Sequence, residues 1–377
     1  MHAAAQALQA EGVPVIDLSL GAPDFKPPLA VQQAAKEAIA SGRYFGYPPV
    51  AGFPALRAAI AQKLQEENQI PCSPEQVVVT NGAKQALFLI FSALLDPGDE
   101  VVVYAPCWPS YGLMIRLAGG RPVLLHGRAE EGFVPAAGQL AQAITPRTKA
   151  VIFANPCNPT GRVLARPALE AMAAVVARHP RVVVVADEIY EYINFTGAPL
   201  TSLGALPGMA GRVVTVNGFS KGWAMPGWRV GYLAGPVWLA RACEALQGQM
   251  TAGVCAVAQQ AALQVGGEWL RERVAVYQQR RDVCVRLLRQ VPGVRVGVPQ
   301  GAFYLFPDVS ACFGRTMGGE VIQDAAGLCR HLLYRGHVAL VPGDAFGAPG
   351  HVRLAFVAPQ LLLEVGLERL LKTLLDH

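Results

Sequence analysis

Residues 77–106 read VVVTNGAKQALFLIFSALLDPGDEVVVYAP. A β-branched run, an apolar helical stretch and a second β-branched run succeed one another, with turn residues between them. That is a strand, helix, strand unit, and units of this kind join parallel strands by a crossover. The pattern continues in AVIFANP (150–156), a helical stretch at about 167–178, VVVVADE (182–188) and RVVTVNG (212–218). Val182–Val185 shows no polar alternation, which suits a strand covered on both faces. The expected fold class is therefore α/β, with a large, mostly parallel sheet.

Outward from this core the signals change. Residues 29–41 and 54–67 have helical periodicity, and the Pro/Gly loop RYFGYPPVAG (43–52) separates them. From about 235 to 290 the chain reads as helix. The tail carries the short strand-like runs RVGVP, AFYLFP, VALVPG and HVRLAF, then a closing helix. The expected organisation is a large α/β domain over residues 45–285. A smaller, discontinuous α+β domain would combine residues 1–44 and 286–377.

Composition narrows the class. The chain has 377 residues, 52% apolar and only 16% charged, so it is not disordered. A net charge of +5 is too weak at this size to suggest nucleic acid or an anionic membrane. No apolar run reaches the roughly 18 residues that a spanning helix needs. The opening MHAAAQALQAEG lacks the basic and apolar regions of a secretory signal. The eight cysteines form no CxxC pair and read as reduced core thiols of a cytoplasmic protein. The seven histidines show no metal spacing, so no metal is expected.

Several polar residues follow predicted strands, the edge at which open parallel sheets bind ligands. Asn81-Gly82-Ala83-Lys84 is either an ordinary glycine turn or an anion cradle at a helix start. Asp187 and Glu188 follow a four-valine run, where a carboxylate is costly unless it is paired or solvated. Asn158 lies in the Pro-stiffened NPCNPTG loop (155–161), which is a simple turn or a means of aiming an amide. Gly218 to Gly222 fits GxSxG, but no helix start follows it, and a serine hydrolase is disfavoured. GxGxxG and GxxxxGK[ST] are both absent. Lys221 is a loop lysine or, if partly desolvated, an amine able to attack a carbonyl, with Arg229 eight residues on.

Taken in order, these segments resemble the pyridoxal-phosphate-dependent class I/II aminotransferases of fold type I. They look closest to the bacterial aspartate and prephenate aminotransferase branch. The resemblance runs through Leu18–Phe25, Tyr47–Gly52, Asn81–Leu87, Pro106–Tyr111, Asn155–Gly161 and Asp187–Tyr190. It continues in Ser220-Lys221, Gly227–Tyr232, Gly301–Tyr304 and Val352–Leu354.

The resemblance implies roles. Lys221 would hold pyridoxal 5′-phosphate through a Schiff base and, once freed, act as general base. Asp187 would keep the ring nitrogen protonated. Trp108 would stack on the ring, and Asn158 and Tyr190 would hydrogen-bond its oxygen. Gly82, Ala83, Lys84 and Arg229, with Ser220, would hold the phosphate. Tyr47 would reach the phosphate of a neighbouring subunit, which implies a homodimer. Arg353, with the Gly21 amide, would clamp the substrate α-carboxylate, with Trp108 and Asn158 alongside. Lys84 would meet a distal carboxylate or serve only the phosphate.

The implied activity is ping-pong transfer of an amino group from aspartate, or a broader set of donors, to 2-oxoglutarate. Two departures leave the donor open. Ala22 stands where the branch usually has Glu, and the chain starts later than most of that branch, whose leading segment commonly covers the substrate. The rival readings are a β-C–S lyase and a non-catalytic cofactor sensor.

Overall fold

The structure, a computed structural model, describes residues 1–375. The chain opens with α1 (His2–Ala10), β1 (Ile16–Asp17), α2 (Leu29–Ala40) and α3 (Pro54–Glu66). The α/β region follows as β2 (Val77–Thr80), α4 (Ala83–Leu94), β3 (Glu100–Ala105), α5 (Ser110–Leu117) and β4 (Arg121–His126). Next are α6 (Ala137–Ala143), β5 (Thr148–Ala154), α7 (Arg166–Ala177), β6 (Val183–Asp187), β7 (Val213–Gly218) and β8 (Gly231–Ala234). Three helices follow: α8 (Val237–Met250), α9 (Ala256–Ala262) and α10 (Trp269–Leu288). The tail holds β9 (Tyr304–Leu305), β10 (Thr316–Met317), β11 (Glu320–Val321), α11 (Ala325–Gly336), β12 (Val338–Ala339), β13 (Val341–Pro342), β14 (Val352–Ala355) and α12 (Gln360–Leu375).

A seven-stranded sheet in the order β2-β8-β7-β6-β5-β3-β4 organises the large part. Strands β3 to β7 run parallel to their neighbours in that group, and β8 lies antiparallel between β2 and β7. Side-chain alternation buries both faces. Val101, Val103, Ile152 and Val185 pack under α4, α5 and α8. Val102, Val151, Phe153 and Val184 pack under α6 and α7. At the far edge, Val77, Val79, Tyr232 and Ala234 share a core with residues of α2, α3 and α9. Helix α2 therefore packs on that side of the molecule.

A second core joins α10, α11 and α12 to the antiparallel trio β13-β14-β9 and takes in Leu18, Tyr190 and Ile193. Near the start of the chain, β1 pairs in parallel with β12. The segment after β1 is anchored by Asp24, whose carboxylate takes both Arg280 guanidinium nitrogens at 2.9 and 2.8 Å.

Three elements depart from the sequence expectation. RVGVP forms no strand, and only Arg295 bridges to Asp308. Strand β4, RPVLLH, contains a proline and lies exposed at the sheet edge, the position where proline is tolerated. Strand β8 has only four residues and follows Arg229, whose φ of +55° is left-handed, so no long β-branched run announces it.

Candidate active site

A cavity of about 450 Å3 opens at the carboxyl ends of the parallel strands. Asp187 is the last residue of β6, Asn158 lies beyond β5, Lys221 beyond β7, and Trp108 and Tyr111 beyond β3. Leu20 and Gly21, in the segment after β1, close one side, and Arg353 on β14 closes another. Four cationic side chains, Lys84, Lys221, Arg229 and Arg353, face a single carboxylate, Asp187.

Neutral partners hold these cations. Lys221 Nζ donates to the Gly21 carbonyl at 2.6 Å. Arg353 donates to Asn158 Oδ1 at 3.0 Å and to the Ser19 carbonyl at 2.6 Å, and its guanidinium lies 4.5 Å from the Tyr304 ring centre. Its Nε is buried without a partner. Arg229 donates to the Pro226 and Asn81 carbonyls at 3.0 and 3.1 Å. Lys84 Nζ sits 4.8 Å from the Trp108 ring centre. Positive charge without local carboxylates favours anionic ligands.

Proton affinities in the cavity are shifted. Burial, reinforced by Arg353 and Arg229, lowers Lys221 to about 8. Burial raises Asp187 to about 6, against hydrogen bonds from Tyr111 and the Ile189 amide and the charge of Lys221. Tyr111 donates to Asp187 Oδ2 at 2.5 Å, and Ile189 N–H donates to Oδ1 at 3.2 Å. Burial also holds the Tyr190 phenol well above its usual range. An amine readily deprotonated, a buried carboxylate and a cluster of cations together equip the cavity for carbonyl–amine chemistry on an anionic ligand.

The family model of aminotransferase class I and II matches residues 13–370. The chain belongs to this family. It is 43% identical to the bifunctional aspartate aminotransferase and glutamate/aspartate-prephenate aminotransferase of Petunia hybrida, over 98% of this chain and 78% of that protein. The crystal structure of the aspartate aminotransferase from Rhizobium meliloti superposes with a TM-score of 0.95 at 38% identity, covering 99% of this chain and 94% of that one. The aspartate aminotransferase from Thermus thermophilus with maleate gives 0.92 at 39%, covering 99% and 95%. The protein is thus a pyridoxal-phosphate-dependent aminotransferase of fold type I, as the sequence motifs implied. The lyase and sensor readings are not favoured.

The residues of this aminotransferase fit the cofactor. Gly82 has φ +77° and caps α4, and a Cβ there would collide with the Arg229 guanidinium. The pair forms a close cradle at the open first turn of α4, where backbone amides lack helical partners. Ser220 borders the same space.

Most residues singled out in the sequence converge on this cavity. Gly21, Ala83, Lys84, Trp108, Asn158, Asp187, Tyr190, Ser220, Lys221, Arg229 and Arg353 all line it. Tyr47 does not; it is 95% exposed on the 43–53 loop. Glu188 also turns away, as strand alternation requires, and its Oε2 accepts from Ser202 at 2.7 Å. Burial and the nearby Glu191 raise Glu188 to about 8. Sequence reasoning missed Tyr111 and Tyr304, although both stand inside the quoted motifs. Their signal was an aromatic hydroxyl within an apolar stretch, where a buried O–H needs a partner.

The remaining structural expectations concern bonds and membranes. The eight cysteines are free, and all but Cys255 are buried. No helix among the described residues is long and apolar enough to cross a membrane.

Proposed function

We propose that this aminotransferase uses aspartate, or a set of donors that includes it, and 2-oxoglutarate. The observation that carries this reading is the pair of cations Arg353 and Lys84 lining one cavity with the low-pKa amine of Lys221. A dicarboxylate offers one carboxylate to each. The relatives named aspartate aminotransferase, one of them solved with maleate, point the same way.

The cofactor, when bound, supplies an aldehyde for the amine and an electron-withdrawing ring that stabilises negative charge at the substrate Cα. The chain's own residues do the rest. Lys221 Nζ, with a pKa of about 8, is partly neutral at physiological pH, so it can form the covalent attachment and later carry the Cα proton. Asp187 supplies the acid partner for the ring nitrogen. Arg353 fixes the Asn158 amide by donating to Oδ1, which leaves Nδ2 free to donate to the ring oxygen beside Tyr190. Arg229, Ser220 and the amides of Gly82 to Lys84 receive the phosphate, and Trp108 covers the ring. The second task of Arg353 is to grip the substrate α-carboxylate with its planar fork, helped by the Gly21 amide.

Two further readings belong here. The exposed loop bearing Tyr47 fits a homodimer in which this phenol reaches the neighbouring subunit's phosphate. The buried, unpaired thiols fit a cytoplasmic setting, with small amino and oxo acids as the other partners.

Borohydride reduction of the holoprotein followed by peptide mapping tests the core assignment. The label should fall on Lys221, and a label elsewhere would overturn it. Single half-reactions across a panel of amino acids, followed by the cofactor spectrum, then rank the donors. Aspartate failing to convert the spectrum while neutral donors succeed would remove the dicarboxylate reading.

A further inference from the structure

Tyr304 lies at the junction of the groups assigned above, though nothing in the sequence marked it as functional. Strand register puts it there. Tyr304 on β9 stands opposite Ala355 on β14, and Arg353, two residues away, shares that face. The Tyr304 ring is fully buried and lies 4.5 Å from the Arg353 guanidinium. Its hydroxyl is 2.7 Å from the Tyr190 hydroxyl. The same hydroxyl fills the space where a Cβ on Gly21 would stand, and the Gly21 carbonyl holds Lys221 at 2.6 Å. One side chain thus touches the neighbours of both the cofactor site and the carboxylate site.

We infer that Tyr304 is a positioning residue with two separable tasks. Its ring supports the guanidinium that grips the substrate carboxylate, and its hydroxyl strengthens Tyr190 as a donor. The inference rests on the roles proposed for Tyr190 and Arg353. With the Tyr190 proton directed to the cofactor's ring oxygen, only Tyr304 can donate across the 2.7 Å contact. A hydroxyl that accepts a hydrogen bond donates more strongly in turn. A stronger donor at the ring oxygen favours its ionised form and holds down the proton affinity of the attached Lys221 nitrogen.

The test compares Tyr304→Phe and Tyr304→Leu as holoenzymes in two measurements. One is the pH titration of the cofactor's visible absorbance, and the other is the Kd of maleate, an unreactive dicarboxylate. Tyr304→Phe keeps the ring and loses the hydroxyl, so the titration should move up by about half a unit while maleate binding stays within about twofold. Tyr304→Leu should show the same titration shift and bind maleate about fivefold to tenfold more weakly. Should Tyr304→Leu fail to fold, Tyr304→Phe still decides the hydroxyl's role. An unmoved titration in Tyr304→Phe, or equal loss of maleate binding in both variants, overturns the inference. If wild type itself has no titrating band, or borohydride does not mark Lys221, the earlier assignment falls and takes this one with it. An intact wild-type titration with unaltered variants removes only this one.

Discussion

Tyr111 donates its phenolic proton to Asp187 Oδ2 across 2.5 Å. This bond partly offsets the burial that raises the carboxyl to about 6. Tyr111→Phe should therefore push Asp187 higher and weaken it as the ring-nitrogen partner. We expect kcat to fall about tenfold, the scale of one hydrogen bond to a charge, with the acid limb of the pH–rate profile moving upward. An unchanged limb would show that Tyr111 only fills space.

Asp187 also sets a pH dependence in the cofactor-free protein. Its folded pKa of about 6 lies above the ordinary 3.8, so the folded state holds the proton more tightly. Near pH 4 and below there is little penalty. As pH rises toward 6 the unfolded chain ionises first and stability falls, and above 6 the penalty is complete. Asp187→Asn should then stabilise the cofactor-free protein by about 2–3 kcal/mol at pH 7 to 8. Thermal melts should show the gain disappearing as pH approaches 4; a gain independent of pH contradicts this.

Lys221→Ala should lose catalysis by several orders of magnitude. The wild-type amine should capture cofactor faster as pH rises through about 8, because deprotonation there exposes the nucleophile. Stopped-flow absorbance reads the capture rate, and a flat profile between pH 7 and 9 would argue against the lowered pKa.

Lys84→Ala addresses the substrate. KM for aspartate and other dicarboxylic donors should rise about tenfold or more, the effect of losing one charged contact, with smaller changes for neutral donors. Equal changes for both classes would leave Lys84 serving the phosphate alone.

Arg280→Met breaks the fork onto Asp24 and leaves that carboxylate uncompensated in a partly buried place. We expect a loss of about 3 kcal/mol in urea melts. Because Asp24 tethers the segment carrying Gly21, KM should rise for every donor alike. A change confined to dicarboxylates would point instead to direct contact with the substrate.

The legibility of the sequence followed the physics of each element. Strands β3, β5, β6 and β7 were readable because doubly buried strands concentrate β-branched residues. Strand β8 was not, since four residues carry too little pattern, and Pro122 masked the edge strand β4. Lys221, Asp187 and Arg353 were recognisable because charged groups at strand ends stand out from apolar surroundings. Tyr111 and Tyr304 were hidden because a tyrosine in an apolar run looks like core. Only folding brings Tyr111 to Asp187, 76 positions away, and Tyr304 to Tyr190, 114 away.

The cavity is drawn from nearly the whole length of the chain, from Ser19 to Arg353. During translation Lys221 and Arg229 emerge well before the strand that delivers Arg353. A nascent polypeptide therefore displays its nucleophile and part of its anion-holding sequence before any pocket encloses them. Productive loading has to wait for β14 to dock beside β9, so the order of synthesis places vitamin acquisition after the C-terminal strands have closed.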